Sequence, residues 1–421
     1  MLDGACTDGS EGGGHSAGDM MHTIKAPAKG EPPMGWWLSF VAVFCLIQAQ
    51  PGLLGQNWGV VTLLANLLCA ASLLLRGERR LDPVLLLLLL LFPTYAAVVT
   101  FQYGLLDPMK GILLAAAHSI LLCLVLCGSR SVDLSRVYVS LMAVVCALFF
   151  LTLFIRFADV FAINPDVRFG IKHYDDADAL FFYPFAFVYP QYYWFPGISV
   201  PLPRAMGVFR EPGVFQAFAA TAALLAPRYF SGRKLYLIVA LLLAGVLAAN
   251  STAGLASFIM VLALLPFLCP MRRWVKILLL LLCLGLSSVV AVVWVFDESS
   301  LGLAGKLSGE SGEDRALAVQ ELQAHWLEAP VLGLIQSGNR DLVQSHTGSL
   351  PLFFLRYGIV GLLLSALPVL WLLRRGQLGC LVPLAPLAMT ALASQPLWAT
   401  GPFLAVVAFS GCAAGGPGLD H

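Results

Sequence analysis

Charged residues are scarce in this sequence. They make up 12 % of its 421 residues, whereas 59 % are hydrophobic, and the mean hydropathy is +0.83. A soluble domain contains about a quarter charged residues. The deficit excludes an ordinary soluble protein and predicts a chain that crosses a membrane many times.

The short motifs of several enzyme classes are also missing. We find no Walker loop, zinc-ligand spacing, dinucleotide fingerprint or nucleophile elbow, and we expect no cofactor and no nucleic-acid partner. Cysteine is present at ten positions, in the N-terminal tail or in apolar segments, but in neither of the two long polar loops. We therefore expect no disulfide bonds.

Long apolar runs are abundant. A membrane-crossing helix needs about 20 mostly apolar residues, and twelve runs approach that length. They lie at 36–54, 57–75, 82–101, 111–128, 137–161, 212–227, 235–250, 253–269, 277–296, 349–373, 379–394 and 396–414. The predicted fold is an all-α polytopic membrane protein with about 12 transmembrane helices.

Basic linkers between these runs predict their orientation. All of them fall on one side of the membrane if the N-terminus is cytoplasmic, and the positive-inside rule makes that side the cytoplasm; they are 76–80, 129–136, 227–234, 270–276 and 374–377. Both termini are then cytoplasmic. The expected segments are a disordered cytoplasmic tail (1–33), or an overlong start before Met34, N-terminal membrane helices (34–156), an extracytoplasmic loop (157–209), central membrane helices (210–296), a second extracytoplasmic loop (297–348) and C-terminal membrane helices (349–414).

Most of the predicted functional residues belong to the two long loops. The first loop is rich in aromatic rings, which favour the membrane interface. The second contains a predicted amphipathic helix. Ser311 and Asp314 resemble a capping box at the start of this helix, and Pro330 marks its end. Arg315 lies on the apolar face of the helix.

The stretch FREPGVF at 209–215 places a charge pair at the start of an apolar helix. Pro212 suits the first helical position, and the positive end of the helix dipole points outward there. Together with Arg210 it makes a site suited to a phosphate or diphosphate. Glu211 steers Arg210 or orients an acceptor. The alternative is an interfacial arginine that pairs with its own neighbour.

Further candidates lie in the second loop and in the span that follows it. His346 can remove a proton from a sugar hydroxyl, or it simply meets water at the start of a helix. Arg356 lies about three turns deeper, where a buried arginine requires a partner or an anionic ligand. Four outer cations, each of which alone is typical of a solvated loop charge, are Lys172, Arg204, Arg315 and Arg340.

An acidic cluster lies in the first loop. His173, Asp175, Asp176 and Asp178 could bind a divalent cation in the manner of Asp-x-Asp glycosyltransferases. Adjacent carboxylates without a supporting frame are equally typical of a polar loop tip. We therefore predict no metal in the site.

Four segments together resemble a known family. FREPGVF (209–215), NSTAGLASFIMVLALL (250–265), EDRALAVQELQAHWLEAPVLG (313–333) and SHTGSLPLFFLRYGIVGLLL (345–364), in that order, are similar to the O-antigen ligase and O-antigen polymerase superfamily. The resemblance covers about the C-terminal half of the chain. It implies a metal-independent, inverting glycosyltransferase with a C-type helical fold. Such an enzyme acts on the outer face of the bacterial plasma membrane, with an undecaprenyl-diphosphate-linked oligosaccharide as donor.

The resemblance also implies roles for individual residues. Arg210 and Arg315 hold the diphosphate, with Arg204, Arg340 and Arg356 as further glycan or diphosphate contacts. His346, or Glu211 in its place, deprotonates the acceptor hydroxyl. Membrane lipid, a chain-length regulator and a flippase are the implied partners.

Two departures from the family pattern bear on the choice of activity. Thr347 follows the histidine where ligases commonly have Asn or Ser, and the family's Pro-x-x-Gly-x-Gly keeps only its first glycine, Gly333. The Arg-Glu-Pro-Gly sequence is more similar to polymerases of O-antigen, capsule or exopolysaccharide. We therefore expect a polymerase, with ligase as the alternative.

Two other classes stay open. A flippase would place ionisable groups and broken helices near the middle of the membrane, often in repeated halves, whereas the charges here lie in outer loops and no repeat is found. A non-catalytic scaffold leaves the outer cations without a purpose. The position of the charges in outer loops and the lack of a repeat favour an enzyme over a flippase, and the outer cations favour an enzyme over a scaffold.

Overall fold

A computed structural model describes the chain at positions 37, 40, 43–44, 47, 64, 68, 83–102, 131–157, 168–169, 180–183, 186–193, 202–209, 211–269, 272–296, 320, 324–325, 327–328, 330–333, 350–374 and 382–393. Most of these residues are helical, which confirms the predicted fold class in its coarse form. The remaining positions include the predicted spans at 111–128 and 396–414.

Eight α-helices are described. They are α1 (Pro83–Gln102), α2 (Ser131–Phe157), α3 (Pro212–Leu225), α4 (Gly232–Ala248), α5 (Thr252–Leu268), α6 (Arg273–Phe296), α7 (Leu350–Arg374) and α8 (Ala385–Ala393). Each overlaps a predicted span. Helix α2 begins inside the predicted linker at 129–136, because backbone hydrogen bonding extends a helix beyond its apolar run. A short 3₁₀ turn at Ala226–Arg228 precedes the chain reversal after α3, and another at Val382–Leu384 precedes α8.

One helix in the described part of the chain, Ser135–Phe154 within α2, is long and apolar enough to cross a membrane. Half of its most apolar window is buried inside the protein. Shorter apolar stretches are Leu87–Val99, Ala253–Leu268, Phe353–Pro368 and Val382–Ala391. Length and composition by themselves are weak evidence for a membrane span when only one helix meets them.

The first predicted loop contains a four-stranded antiparallel meander that the sequence analysis had not predicted. Its strands are β1 (Arg168–Phe169), β2 (Leu180–Tyr183), β3 (Ala186–Tyr193) and β4 (Leu202–Gly207). Aromatic residues favour strands, but the segment lacks the alternation of polar and apolar residues that identifies a strand in a sequence. Tyr189 pairs with Arg204 across β3 and β4, and β4 leads into α3, so the sheet adjoins the start of that helix.

Helix α3 is the centre of the larger core. Its residues from Val214 to Leu225 are all buried, surrounded by α2, α4, α5, α8 and β4. The Tyr138 hydroxyl of α2 donates to the Phe218 carbonyl at 2.7 Å. The Phe209 ring, just before α3, lies 4.9 Å from that of Phe218. Because α3 is rich in alanine, its neighbours can approach its backbone closely.

A second, smaller core joins α1 to α7. The Phe92 ring lies 5.4 Å from that of Phe353 and 5.3 Å from that of Tyr357, and Ala96 is buried beside them. The hydroxyl of Tyr95, on the same helix as Phe92, lies 2.8 Å from the Leu332 carbonyl. The pair of helices α1 and α7 therefore also contacts a segment of the second predicted loop.

Helix α7 is broken in its middle. The sequence analysis treated 349–373 as one uninterrupted apolar run, but Gly358 has φ 61° and ψ −167°, a region of backbone space that only glycine adopts readily. The backbone N–H groups of Ile359 and Val360 donate instead to the carbonyls of Pro330 and Val331, at 2.9 and 3.1 Å. Hydropathy did not predict the break because apolar residues predominate on both sides of it.

Candidate functional site

Three helix ends come together where the FREPG stretch begins α3. Helices α3, α4 and α5 pack on one another and are joined by short turns at 229–231 and 249–251, so α3 and α5 run in the same direction and α4 runs in the opposite one. We call the end where α3 and α5 begin the Glu211 end. Two helix N-termini meet there, and both direct a partial positive charge toward the same side.

Glu211 is the N-cap of α3. Its backbone is extended (φ −149°, ψ 150°), Pro212 follows it, and its side chain makes no capping hydrogen bond. Its carbonyl accepts from the backbone N–H groups of Val214 and Phe215, both at 3.1 Å. Glu211 is half-buried, and its side chain lies at the start of α3 without accepting a capping hydrogen bond. Arg210 lies outside the described residues, next to the fully buried Phe209.

Arg204 connects the sheet to the turn between α4 and α5. Its Nε–H donates to the carbonyl of Ala249 at 3.0 Å. Ala249 is the C-cap of α4, where carbonyls lack helical partners and a cation is favourable. Arg204 is half-buried, so this predicted outer cation is fixed in place and differs from a solvated loop charge.

A chain of hydrogen bonds links α3 to the start of α5. The backbone N–H of Gly254 donates to Ser251 Oγ at 2.9 Å, and the Ser251 hydroxyl donates to Gln216 Oε1 at 2.7 Å. Ser251 is the N-cap of α5, and Gln216 is fully buried inside α3. Asn250 precedes Ser251 with φ 44°, a left-handed conformation that asparagine tolerates better than most residues.

Several buried polar atoms beside this chain have no hydrogen-bond partner among the described residues. They are Gln216 Nε2, Thr221 Oγ1, Asn250 Nδ2 and Ser257 Oγ. A buried polar group without a partner costs about 1–3 kcal/mol, and such groups are few in native proteins. The sequence analysis did not single out Gln216 or Asn250. The available signals were a glutamine within an apolar helix and the Asn-Ser-Thr start of α5.

Arg356 lies beside the break in α7. Gly333 of the second predicted loop, with φ 85°, packs so closely on the backbone of Arg356 that a Cβ atom there would overlap the Arg356 carbonyl. The Tyr95 hydroxyl lies 2.8 Å from the Leu332 carbonyl and 3.0 Å from that of Tyr357, so it can donate to either. Gly333, the first glycine of the Pro-x-x-Gly-x-Gly pattern, is therefore required by this close packing.

One histidine that the sequence analysis missed is paired with a carboxylate. His325 Nδ1 lies 2.7 Å from Glu328 Oε1, one helical turn away. A carboxylate in this position fixes the orientation of the imidazole ring. The i,i+3 spacing was the available signal. His325 is helical, as are Gln320 and Ala324, in agreement with the predicted loop helix.

The other predicted site residues lie outside the described part of the chain. They are Lys172, Arg210, Arg315, Arg340 and His346, together with the cluster of His173, Asp175, Asp176 and Asp178. The Glu211 end therefore joins Arg204 and Glu211 with Gln216 and Asn250, and the break in α7 joins Arg356 with the second loop. Convergence of the remaining residues on either place stays a prediction.

Comparisons of the chain with known protein families, with curated proteins and with solved structures find no match. The similarity to the O-antigen ligase and polymerase superfamily therefore depends on the four quoted motifs alone.

Proposed function

We propose that this protein polymerises lipid-linked oligosaccharide repeat units of an O-antigen, capsule or exopolysaccharide. It is a C-type glycosyltransferase with about 12 membrane-spanning helices, and it acts at the outer face of the bacterial plasma membrane. The observation that carries the proposal is the Glu211 end. There the glutamate of the Arg-Glu-Pro-Gly motif, Arg204 of the first loop and two helix N-termini lie at the same end of a group of apolar helices.

The exposed side of α6 supports a membrane environment. Ile277, Leu278, Leu281 and Leu284 are each more than half exposed. A row of large apolar side chains on a helix surface is unfavourable in water and marks contact with a membrane or a partner. Lipid is the simplest neighbour for a face with this composition, and the basic start of α6, with Arg272 and Arg273 exposed, fits a cytoplasmic helix end.

The proposed reaction is a single displacement. An acceptor hydroxyl oxygen forms a bond to the anomeric carbon of the donor sugar from the face opposite the leaving group, so the configuration inverts. The bond from that carbon to the diphosphate breaks, and undecaprenyl diphosphate leaves. His346, or Glu211, takes the hydroxyl proton. Arg210 and Arg315 stabilise the diphosphate charge, with Arg204, Arg340 and Arg356 as further contacts.

An assay of the purified protein tests the activity directly. Full-length protein in detergent is given a lipid-linked repeat unit and a chelator, and released undecaprenyl diphosphate and chain length are measured. We expect release and a ladder of products. Arg210→Ala and His346→Ala should each reduce the rate by about a hundredfold or more, whereas Arg233→Ala, an exposed arginine at the opposite end of α4, should not. Normal polymer from both site variants would contradict the assignment.

Polymerase and ligase are distinguished in cells. The gene is introduced into a bacterium that lacks its own polymerase, and the surface glycan is separated on a gel. A restored ladder supports a polymerase. No ladder in this strain, together with transfer of glycan to the lipid core in a bacterium that lacks its own ligase, would support the ligase alternative instead.

A flippase of the same lipid-linked glycans is the second candidate, and the break in α7 favours it. Transporters commonly bind substrate at interrupted helices that contain ionisable residues, and Arg356 lies two residues before Gly358. Liposomes that contain the purified protein and a labelled lipid-linked glycan test this function. Movement of label between leaflets without glycosyl transfer would favour the flippase, and transfer without movement would favour the polymerase.

A further inference from the structure

Two buried amide groups at the Glu211 end have N–H donors for which the described part of the chain provides no acceptor. Gln216 is fully buried and Asn250 is 7 % exposed, and among the described residues neither Gln216 Nε2 nor Asn250 Nδ2 has a hydrogen-bond partner. Each amide nitrogen carries two N–H groups. Buried polar atoms left without partners in a folded protein call for an explanation, and a bound ligand is one.

The orientation of the Gln216 amide follows from its neighbours. Ser251 Oγ accepts the backbone N–H of Gly254 at 2.9 Å, and the Ser251 hydroxyl donates to Gln216 Oε1 at 2.7 Å. The amide oxygen is thereby occupied and the amide nitrogen is left as the free donor. Gln216 contacts the N-cap of α5, so its amide lies at the N-terminus of that helix.

The charges around these donors are favourable to an anion. The N-termini of α3 and α5 both contribute partial positive charge at this end. Arg204 is bound to the Ala249 carbonyl, immediately before Asn250 in the chain. The acidic side chain described at this end is Glu211, which is half-buried at the start of α3. Amide donors, a helix N-terminus and a guanidinium group together match a ligand that has several acceptor oxygens and negative charge.

The geometry points to an oxyanion-binding site formed by Gln216, Asn250 and the N-terminus of α5, with Arg204 at its edge, for the phosphate or diphosphate group of a lipid. Gln216 and Asn250 donate amide hydrogens to the anion oxygens, and Ser251 fixes the Gln216 amide for that purpose. Identification of the anion as undecaprenyl diphosphate rests on the proposed function, whereas the oxyanion site itself does not.

Equilibrium binding to the full-length protein in detergent tests the site. The probes are undecaprenyl diphosphate, phosphatidylglycerol and inorganic pyrophosphate, with undecaprenol as the uncharged control. Asn250→Gly is the main variant, because glycine adopts the positive φ of this position without strain and only the amide is lost. We expect about tenfold weaker binding of the anion. Gln216→Glu, which replaces the amide donor with a carboxylate, should weaken binding at least as much.

Ser231→Ala is the matched control. Ser231 is the N-cap of α4, at the opposite end of the same bundle, where its side chain makes no capping hydrogen bond, so its removal should leave binding unchanged. Thermal unfolding of every variant separates lost binding from lost folding, and Asn250→Gly should unfold at the wild-type temperature.

The outcomes separate the site from the proposed function. Wild-type affinity of both Asn250→Gly and Gln216→Glu for every anion would overturn the site, and the proposed function would stand if undecaprenyl diphosphate still bound. Equal binding of phosphatidylglycerol and undecaprenyl diphosphate, both weakened by Asn250→Gly, would support an oxyanion site for a general lipid headgroup and count against the proposed substrate. Preference for undecaprenyl diphosphate, lost in Asn250→Gly, supports both.

Discussion

The Glu211 end and the break in α7 both contain backbone N–H and carbonyl groups that have no partner within an apolar helix. The two regions provide hydrogen-bond partners for these groups in different ways. At the Glu211 end, the chain reverses at Asn250 between two helices, and the Ser251 side chain, itself bonded to Gln216, accepts the backbone N–H of Gly254. At Gly358 the helix is interrupted internally, and the carbonyls of a distant loop segment, 330–331, accept the freed N–H groups.

This difference determines how each region depends on the rest of the chain. The Glu211 end is formed by three consecutive helices and lies against the larger core, so it can form before the second loop docks. The break in α7 is complete only when the segment at 330–333 packs on Arg356 and Tyr95. We therefore expect substitutions at the break to act through loop docking, and substitutions at the Glu211 end to act through local bonds.

The largest expected effect is that of Gly358→Ala. The φ and ψ of Gly358 are costly for any other residue, by about 1–3 kcal/mol, and the added Cβ would overlap the backbone of Val331. We expect the free energy of unfolding to fall by more than about 3 kcal/mol, measured by thermal unfolding in detergent. Gly285→Ala in α6 is the control, since a Cβ there meets no atom within 4 Å. It should be neutral or stabilise by up to about 1 kcal/mol.

Removal of two tyrosine hydroxyls compares the regions directly. Tyr138→Phe removes the buried hydroxyl that donates to the Phe218 carbonyl in the larger core and should lower global stability by about 1–3 kcal/mol. Tyr95→Phe should cost about 1 kcal/mol and act locally. Hydrogen exchange at the amides of Ile359 and Val360 is the measurement. Exchange should accelerate in Tyr95→Phe only, and equal acceleration in both variants would contradict two separate regions.

A smaller effect is expected for Gly254→Ala. The added Cβ would meet the end of the Gln216 side chain, which can move, whereas at Gly358 it would meet backbone. Displacement of the amide breaks its bond to Ser251, so we expect a loss of about 1–2 kcal/mol. The same substitution in a Gln216→Ala background should cost much less, because the clash has been removed. A full cost in both backgrounds would show that Gln216 is not the obstacle.

The smallest effect compares two N-caps. Ser251→Ala removes the acceptor of the Gly254 N–H and should destabilise the protein by about 1 kcal/mol. Ser231→Ala, at the start of α4, removes a side chain that makes no capping bond and should change stability by less than about 0.5 kcal/mol. Denaturant unfolding of the two variants side by side measures the difference, and equal values would contradict the role assigned to Ser251.

Hydropathy was a good guide to the helices and a poor guide to what connects them. Each described helix overlaps a predicted span. These spans were predicted from the length of the apolar runs alone. The meander at 168–207 was missed, since an aromatic-rich segment without alternation has no strand period to recognise. The break at Gly358 was missed because the carbonyls that accept the freed N–H groups, those of Pro330 and Val331, lie outside the helix.

The candidate site divides in the same way. Pro212 and Glu211 were correctly predicted at a helix start because proline at the first position is a local signal. Arg204 was predicted as an outer cation, but its bond to Ala249 joins residues 45 apart in the sequence. The roles of Gln216 and Asn250 could not be predicted, since a polar residue in an apolar run gives no indication of which neighbour it will meet.

The sequence by itself determined a mostly helical chain, the approximate bounds of its helices and the residue types available for binding an anion. These properties follow from composition and from local backbone preference, which act over a few residues. The tertiary structure decided that α3 and α5 begin side by side, that the Gln216 and Asn250 amide nitrogens have no partner there among the described residues, and that the second loop completes a broken α7. The physical reason is that burial and hydrogen-bond pairing depend on residues far apart in the chain, whose proximity is a property of the packed fold.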